Sequence, residues 1–370
     1  MRVISGVAGA ALLLVTLGSI LRNVVVPRGL GSLLTKGLWR GLHRVLISVA
    51  FPFDRYERRD RLLAWLAPLV LVGELVLWLA SVFVAYALLV YAFSKLSLPN
   101  AFREAGSSMF TLGFASNART DLNALDFFAA ATGPLIIALQ IAYLPTLYGA
   151  YNRRETEVTL LQARASEPAW GPELIARQAL IGTIDQLREL YLSWERLAAD
   201  IGESHANYPV LLAFRSPRPY RSWIIALLAV MDAAALQLAL SPTSAPAAEA
   251  RLMLRSAFTA LRDIARVIHI PFNPDPLPDA PIRLSYEEFA DAVKHLDEAG
   301  LVTERSAEEA WAHFRGWRVN YEEIAYALAK KLDAVPAPWS GDRSWRSVPM
   351  QPNRPADRRP AARSDAFREA

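Results

Sequence analysis

The chain contains no cysteine. That excludes a disulfide scaffold, a thiolate metal site and a cysteine nucleophile. Histidine is scarce, with 5 in 370 residues, and no two stand at a metal-ligand spacing such as H-E-x-x-H. No glycine-rich phosphate loop, dinucleotide fingerprint or acid–base pair with a supporting residue occurs, so neither an enzyme nor a cofactor is expected. Charge is thin where apolar residues are dense: 53% of the chain is apolar and 21% charged, and the apolar residues concentrate before Asn152. The net charge of +4 does not point to nucleic acid, because the basic residues flank apolar spans as they do at a membrane surface.

Three stretches are long and apolar enough to cross a bilayer, which takes roughly 20 residues per helix. They cover residues 3–21, 62–93 and 127–151. Arg2 ahead of the first suggests a signal peptide, but no A-x-A pattern follows and Arg22 closes the run, so a retained helix over residues 1–22 is expected. In the second, residues 62–67 are expected as an interfacial entry, Pro68 as a kink and the remainder as a tilted span. Glu74 is the one charge inside a span. An intramembrane acid marks a functional site by default, whereas one near the cytoplasmic end reaches water or a connector arginine.

Orientation follows from the basic residues. Arg22, Arg28, Lys36, Arg40, Arg44, Arg55, Arg58, Arg59 and Arg61 separate the first two spans, and Arg153, Arg154 and Arg164 follow the third. The positive-inside rule places both segments in the cytoplasm. The amino terminus and residues 94–126, where Lys95, Arg103 and Arg119 are offset by Glu104, Asp121 and Asp126, are then outside. A multi-pass protein of the plasma (inner) membrane is expected. In the connector, residues 23–61, an apolar series (Leu30, Leu33, Leu34, Leu38, Leu42, Val45, Leu46, Val49) recurs at helical spacing opposite Lys36, Arg40, His43 and Arg44. This predicts an amphipathic helix in the headgroup plane, the alternative being a helix packed on the cytoplasmic domain.

Residues 99–117 read P-N-A-F-R-E-A-G-S-S-M-F-T-L-G-F-A-S-N. Asn100 is the expected N-cap of a short helix leading into Thr111, Leu112, Gly113, Phe114 and Ala115. With a span on either side, residues 62–154 resemble the pore region of potassium channels: outer helix, pore helix, a filter of the form T-V-G-Y/F-G, and inner helix. A dehydrated cation needs inward-facing backbone carbonyls in place of its water, and glycine permits the backbone this requires. Such irregular backbone is tolerated at membrane depth only where it lines a cavity or is buried. The resemblance implies a re-entrant pore loop, potassium as the permeant monovalent cation, and a homotetramer, since one loop per chain cannot enclose a conduit. It also implies a gate hinge at Gly133 and Pro134, where the proline removes one helical hydrogen bond; Pro145 offers a second bend. Ala115 and Ser116 stand where the family has a second glycine and often an acid, and Phe110 stands where a threonine usually precedes the filter. An alanine forced into the left-handed region carries about 1–2 kcal/mol of strain.

Residues 155–335 are expected to form a helical cytoplasmic domain. Residues 173–200 show helical spacing, with a turn at Gly202, and residues 247–270 form another helix. Residues 223–240 are apolar enough for a fourth span, but Asp232 sits centrally and arginines lie on both sides (Arg215, Arg218, Arg221, then Arg251, Arg255). A central bundle helix is the better reading. Ser285 with Glu288 and Ser306 with Glu309 form S-x-x-E capping boxes. The aromatic series Trp311, Phe314, Trp317, Tyr321 and Tyr326 is expected as packing, His205, His269, His295 and His313 as structural, and residues 336–370 as a disordered tail. The expected fold class is thus all-α, with integral membrane helices, a re-entrant pore loop and a helical cytoplasmic domain. The expected function is passive cation conduction. The alternative is a non-conducting, membrane-anchored scaffold or sensor whose cytoplasmic partner the sequence does not identify, and a membrane enzyme comes third for want of a catalytic constellation.

Overall fold

The computed structural model describes residues 1–26, 32–115, 123–345 and 347–353. Among these every regular element is helical. Among the described residues four helical stretches are long and apolar enough to cross a membrane: Arg2–Val24, Tyr56–Phe93, Asn123–Ala165 and Trp223–Leu240. The chain divides into two compact units. The first holds residues 1–154, 200–215 and 263–271, and the second holds 155–199, 216–262 and 272–370. The expected border after Arg154 is therefore one of several, because the chain returns twice to its first unit.

In the first unit, α1 (Arg2–Ile20) packs antiparallel on α4 (Leu66–Phe93). Small residues make the approach close: a Cβ on Gly9 would lie 2.9 Å from the Ala85 carbonyl oxygen. At one end Arg2 donates to the carbonyls of Ser94 and Leu96, and at the other Trp78 Nε1 donates to Ser19 Oγ at 3.1 Å. The break before α4 falls at Ala64 and Trp65, after α3 (Tyr56–Leu63), and not at Pro68. Pro68 sits in the first turn of α4, where an amide would have no helical acceptor, so the expected kink is absent.

Helix α2 (Leu33–Ala50) starts at Ser32, whose side chain accepts the Thr35 amide at 3.2 Å. Part of its apolar series packs on α4. Leu38 lies against Gly73, and Trp39, Leu42 and Leu46 pack on Leu66, Ala67, Val70 and Leu71. Of the expected apolar series, Leu34, Leu38, Leu42 and Leu46 are part-buried, whereas Leu33, Val45 and Val49 stay exposed. Arg28 and Leu30 lie outside the described residues.

Leu211, Ala213 and Phe214, from the returning segment, close the same core. Arg154 is fully buried and fastens that segment, donating to the carbonyls of Leu211 at 3.0 Å and Phe214 at 2.7 Å. It also meets His205 Nε2 at 2.8 Å. Burial, and then the adjacent guanidinium, hold the His205 imidazole well below its ordinary 6.5. The folded chain thus favours neutral His205, while the unfolded chain takes up a proton as pH falls past 6.5. This contribution to stability is complete above that pH and declines below it. Melting temperatures recorded between about pH 5 and 8 should show the decline in the native chain and a shallower one in His205→Gln.

The second unit is built around α9 (Trp223–Leu240), which is buried at every position and packs against α7 (Gly171–Leu180), α12 (Ala307–Arg318) and α13 (Glu322–Lys331). Asp232, at its centre, pairs with the fully buried Arg318 and accepts the Tyr321 hydroxyl at 2.7 Å. Arg318 also donates to Glu322 at 2.9 Å, the Tyr326 hydroxyl at 2.9 Å and the Trp339 carbonyl at 2.8 Å. Both capping boxes form, starting α11 (Tyr286–Glu298) and α12. The aromatic series packs as expected, with Phe289 and Phe314 rings 4.9 Å apart. Two of the histidines have definite partners, His205 in the first unit as above and His295, which meets Glu173 at 2.9 Å. The helical pattern of 173–200 is interrupted at Gly182, whose φ of +69° ends α7, and α8 (Leu187–Asn207) continues through Gly202. Residues 336–345 are not tail: Trp339 packs on Phe314, and the buried Arg343 guanidinium binds the carbonyls of Ala334, Val335 and Ser340. Residues 354–370 lie outside the described residues.

Candidate pore loop

The short helix α5 (Leu98–Met109) begins from Ser97 with Pro99 in its first turn, so Asn100 lies inside it and is not its cap. Proline, preorganised for a first helical turn, accompanies a start three residues earlier. Ala101, Ala105 and Met109 are buried, and Phe83 of α4 meets Phe102 edge-on at 5.4 Å. Toward α6 (Asn123–Ala165), Ser108 Oγ donates to Asp126 Oδ1 at 2.7 Å. A contact of 3.0 Å between the Tyr86 hydroxyl and Thr132 Oγ1 joins α4 to α6.

Gly133 is where α6 passes the end of α5: a Cβ there would lie 2.3 Å from the Met109 carbonyl oxygen. The glycine thus has a packing duty, and α6 continues through Pro134 and Pro145 as one helix. Gly133→Ala should push α5 away and destabilise the first unit by about 1–3 kcal/mol. Thermal melting of the purified protein checks this.

The turn after α5 has a specific construction. The Thr111 amide donates to the Ser108 carbonyl at 3.0 Å and the Leu112 amide to the Ser107 carbonyl at 2.8 Å. These are the paired bonds of a left-handed helix ending, with Thr111, at φ 55°, in the position glycine usually takes. The Gly113 amide also reaches the Ser107 carbonyl, at 3.3 Å, and the Ala115 amide reaches Ser107 Oγ at 2.9 Å. With the amides turned onto Ser107, the carbonyls of Thr111, Leu112, Gly113 and Phe114 accept no hydrogen bond from the described residues, and all four residues are exposed. The Phe114 ring folds back beneath the Arg103 guanidinium, 5.5 Å away. Left-handed backbone occurs at Thr111 and Gly113 but not at Ala115. The strain expected at Ala115 is therefore absent, because the helix ending places it at Thr111 instead. Ser116 and Asn117 lie outside the described residues.

Among the described residues Glu74 pairs with no arginine. It is 5% exposed and bonded by Asn23 Nδ2 at 3.5 Å and by the Thr35 hydroxyl. Ser19 Oγ donates to Ser32 Oγ at 2.6 Å, which in turn is 3.1 Å from Thr35 Oγ1, so a chain of hydroxyls joins α1 and α2 to this acid on α4. Such a network locks the three helices in register. Compared with family models, curated proteins and solved structures, the chain matches none.

Sequence reasoning singled out residues 111–115 but missed Ser107, which receives three of the turn's amides. A serine in a short helix carries no signal of that role.

Proposed function

We propose that this chain is a potassium-channel-like pore, conducting a monovalent cation passively as a homotetramer. The observation that carries this reading is the turn after α5: seated beside two long apolar helices, it turns three of its amides onto Ser107, and the carbonyls of residues 111–114 accept no hydrogen bond from the described residues. Free carbonyls suit a dehydrated cation, and four chains would complete the ring that one begins. In this reading α1, α4 and the first part of α6 cross the membrane. The amino terminus and residues 94–126 face outside, and the connector and everything beyond residue 152 face the cytoplasm. The bonds from Arg2 to the Ser94 and Leu96 carbonyls support that arrangement, since they bring the amino terminus to the start of α5. Helix α9 is not counted as a crossing, because it has no face left for lipid. Gly133 and Pro134 form the hinge, and the exposed Phe127, Phe128, Leu135 and Ile141 of α6 supply the contact between subunits.

One observation favours the scaffold or sensor: residues 111–113 complete a helix ending by themselves, which needs no ion. Purified protein in planar bilayers separates the two. Unitary currents that reverse near the potassium equilibrium potential are expected, together with a mass of four chains in mild detergent. A silent tetramer favours the scaffold, and a monomer or dimer rules out the ring.

A further inference from the structure

We propose that the exposed face of α2 and α3 binds the phosphate headgroups of anionic phospholipid. The inference rests on the membrane reading above but not on conduction. With Leu38, Leu42 and Leu46 turned to α4, α2 presents an unbroken stripe of exposed positions at 33, 37, 40, 41, 44, 45, 48 and 49, including the apolar Leu33, Val45 and Val49. Arg40 and Arg44 lie on it beside Val45, which is 59% exposed. On α3, Arg58 and Arg61 are exposed along one face, and the adjoining Trp65 is 60% exposed. Arginines that share a face with apolar and aromatic side chains suit the boundary where phosphate meets hydrocarbon.

The charge is uncompensated. Residues 32–65 hold seven basic residues against three acids, and one of those acids, Asp60, is already paired with Arg215 at 2.5 Å. Among the described residues Arg40, Arg44, Arg58 and Arg61 form no ion pair. Depth agrees with the chemistry. Helix α4 has 28 residues, about 42 Å, whereas the hydrocarbon core takes about 30 Å. Roughly two turns are left for the headgroup layer. The turns nearest its amino end, around Leu66 to Gly73, are those α2 packs against, so Arg40 and Arg44 stand at phosphate depth. Each such arginine strengthens binding to an anionic surface about fivefold.

The test uses the full chain in mild detergent, titrated with phosphatidylglycerol or phosphatidylcholine, with retained lipid counted by native mass spectrometry and stability followed by thermal melting. Phosphatidylglycerol should be retained and should raise the melting temperature, and phosphatidylcholine should do so much less. Replacing Arg40, Arg44 and Arg58 together with glutamine should weaken phosphatidylglycerol binding about 100-fold. The three lysine replacements should preserve it, and Arg251→Gln with Arg255→Gln should leave it unchanged. Equal retention of the two lipids overturns the proposal, as does undiminished retention in the glutamine variant. Displacement of the lipid by millimolar inorganic phosphate would mark a free-anion site, and binding of polyglutamate without lipid discrimination an acidic protein partner; either overturns it. Because no current is read, a non-conducting chain can still pass.

Discussion

If residues 111–115 form the proposed pore, Gly113→Ala is expected to abolish its potassium current while leaving the protein folded. Gly113 has φ +69°, and a Cβ there meets nothing within 4 Å, so the penalty is conformational and not steric crowding with neighbours. Alanine in that region costs about 1–2 kcal/mol per chain, hence several kcal/mol in a tetramer. The easiest relief is to rotate the peptide out of the left-handed region, which withdraws the Gly113 amide from Ser107 and reorients the carbonyl edge. Thr111→Gly should act in the opposite sense, removing strain of about the same size at φ 55° and raising thermal stability. Ala115→Gly should change little, because Ala115 is not left-handed. Current amplitude and reversal potential in mixed potassium and sodium, at matched expression, check Gly113→Ala and Ala115→Gly, and thermal melting checks Thr111→Gly. An unaltered current in Gly113→Ala would place residues 111–115 off the ion path, whatever the membrane topology.

Arg318→Met should unfold the second unit at a much lower temperature. Arg318 is 0% exposed and stands between Asp232 and Glu322, both nearly as buried. Removing the cation strands two carboxylates in an apolar interior and leaves the Tyr326 hydroxyl and Trp339 carbonyl without their donor. Breaking one partner of a buried pair costs about 3–5 kcal/mol, which for a unit of this size lowers the melting temperature by on the order of 10 °C. Adding Asp232→Asn and Glu322→Gln should recover part of the loss, since neutral side chains tolerate burial better than charged ones. Recovery need not be complete, as Glu322 also accepts the Leu284 amide at 3.1 Å. Circular dichroism melts of the three proteins measure this; a melt unmoved by Arg318→Met would mean that the network contributes nothing to stability.

Patterns set by neighbours in the chain were legible in the sequence. The long apolar runs, the two capping boxes and the short helix between two spans depend on composition and on contacts three or four residues apart, and each formed. Helix class follows from those periods without knowledge of the partner. Features that needed a distant surface were not legible. The apolar series of α2 is equally suited to lipid or protein, and the surface offered by α4 decided which of its residues are covered and which stay exposed. Glu74 and Asp232 are both lone acids in apolar runs. One ends a hydroxyl chain from Ser32 and Thr35, and the other is neutralised by an arginine 86 residues away. The same holds at residues 111–115. The motif was visible, but which residue bears the left-handed strain, and which way the amides turn, depended on where α5 ends against α6 at Gly133. Sequence alone determined that this is a helical chain with runs fit for a membrane and a polar break between two of them. Tertiary packing decided which charges are paired, which apolar residues are covered and where the amides of the turn point, because burial and hydrogen bonding are properties of surfaces that meet only after the chain has folded.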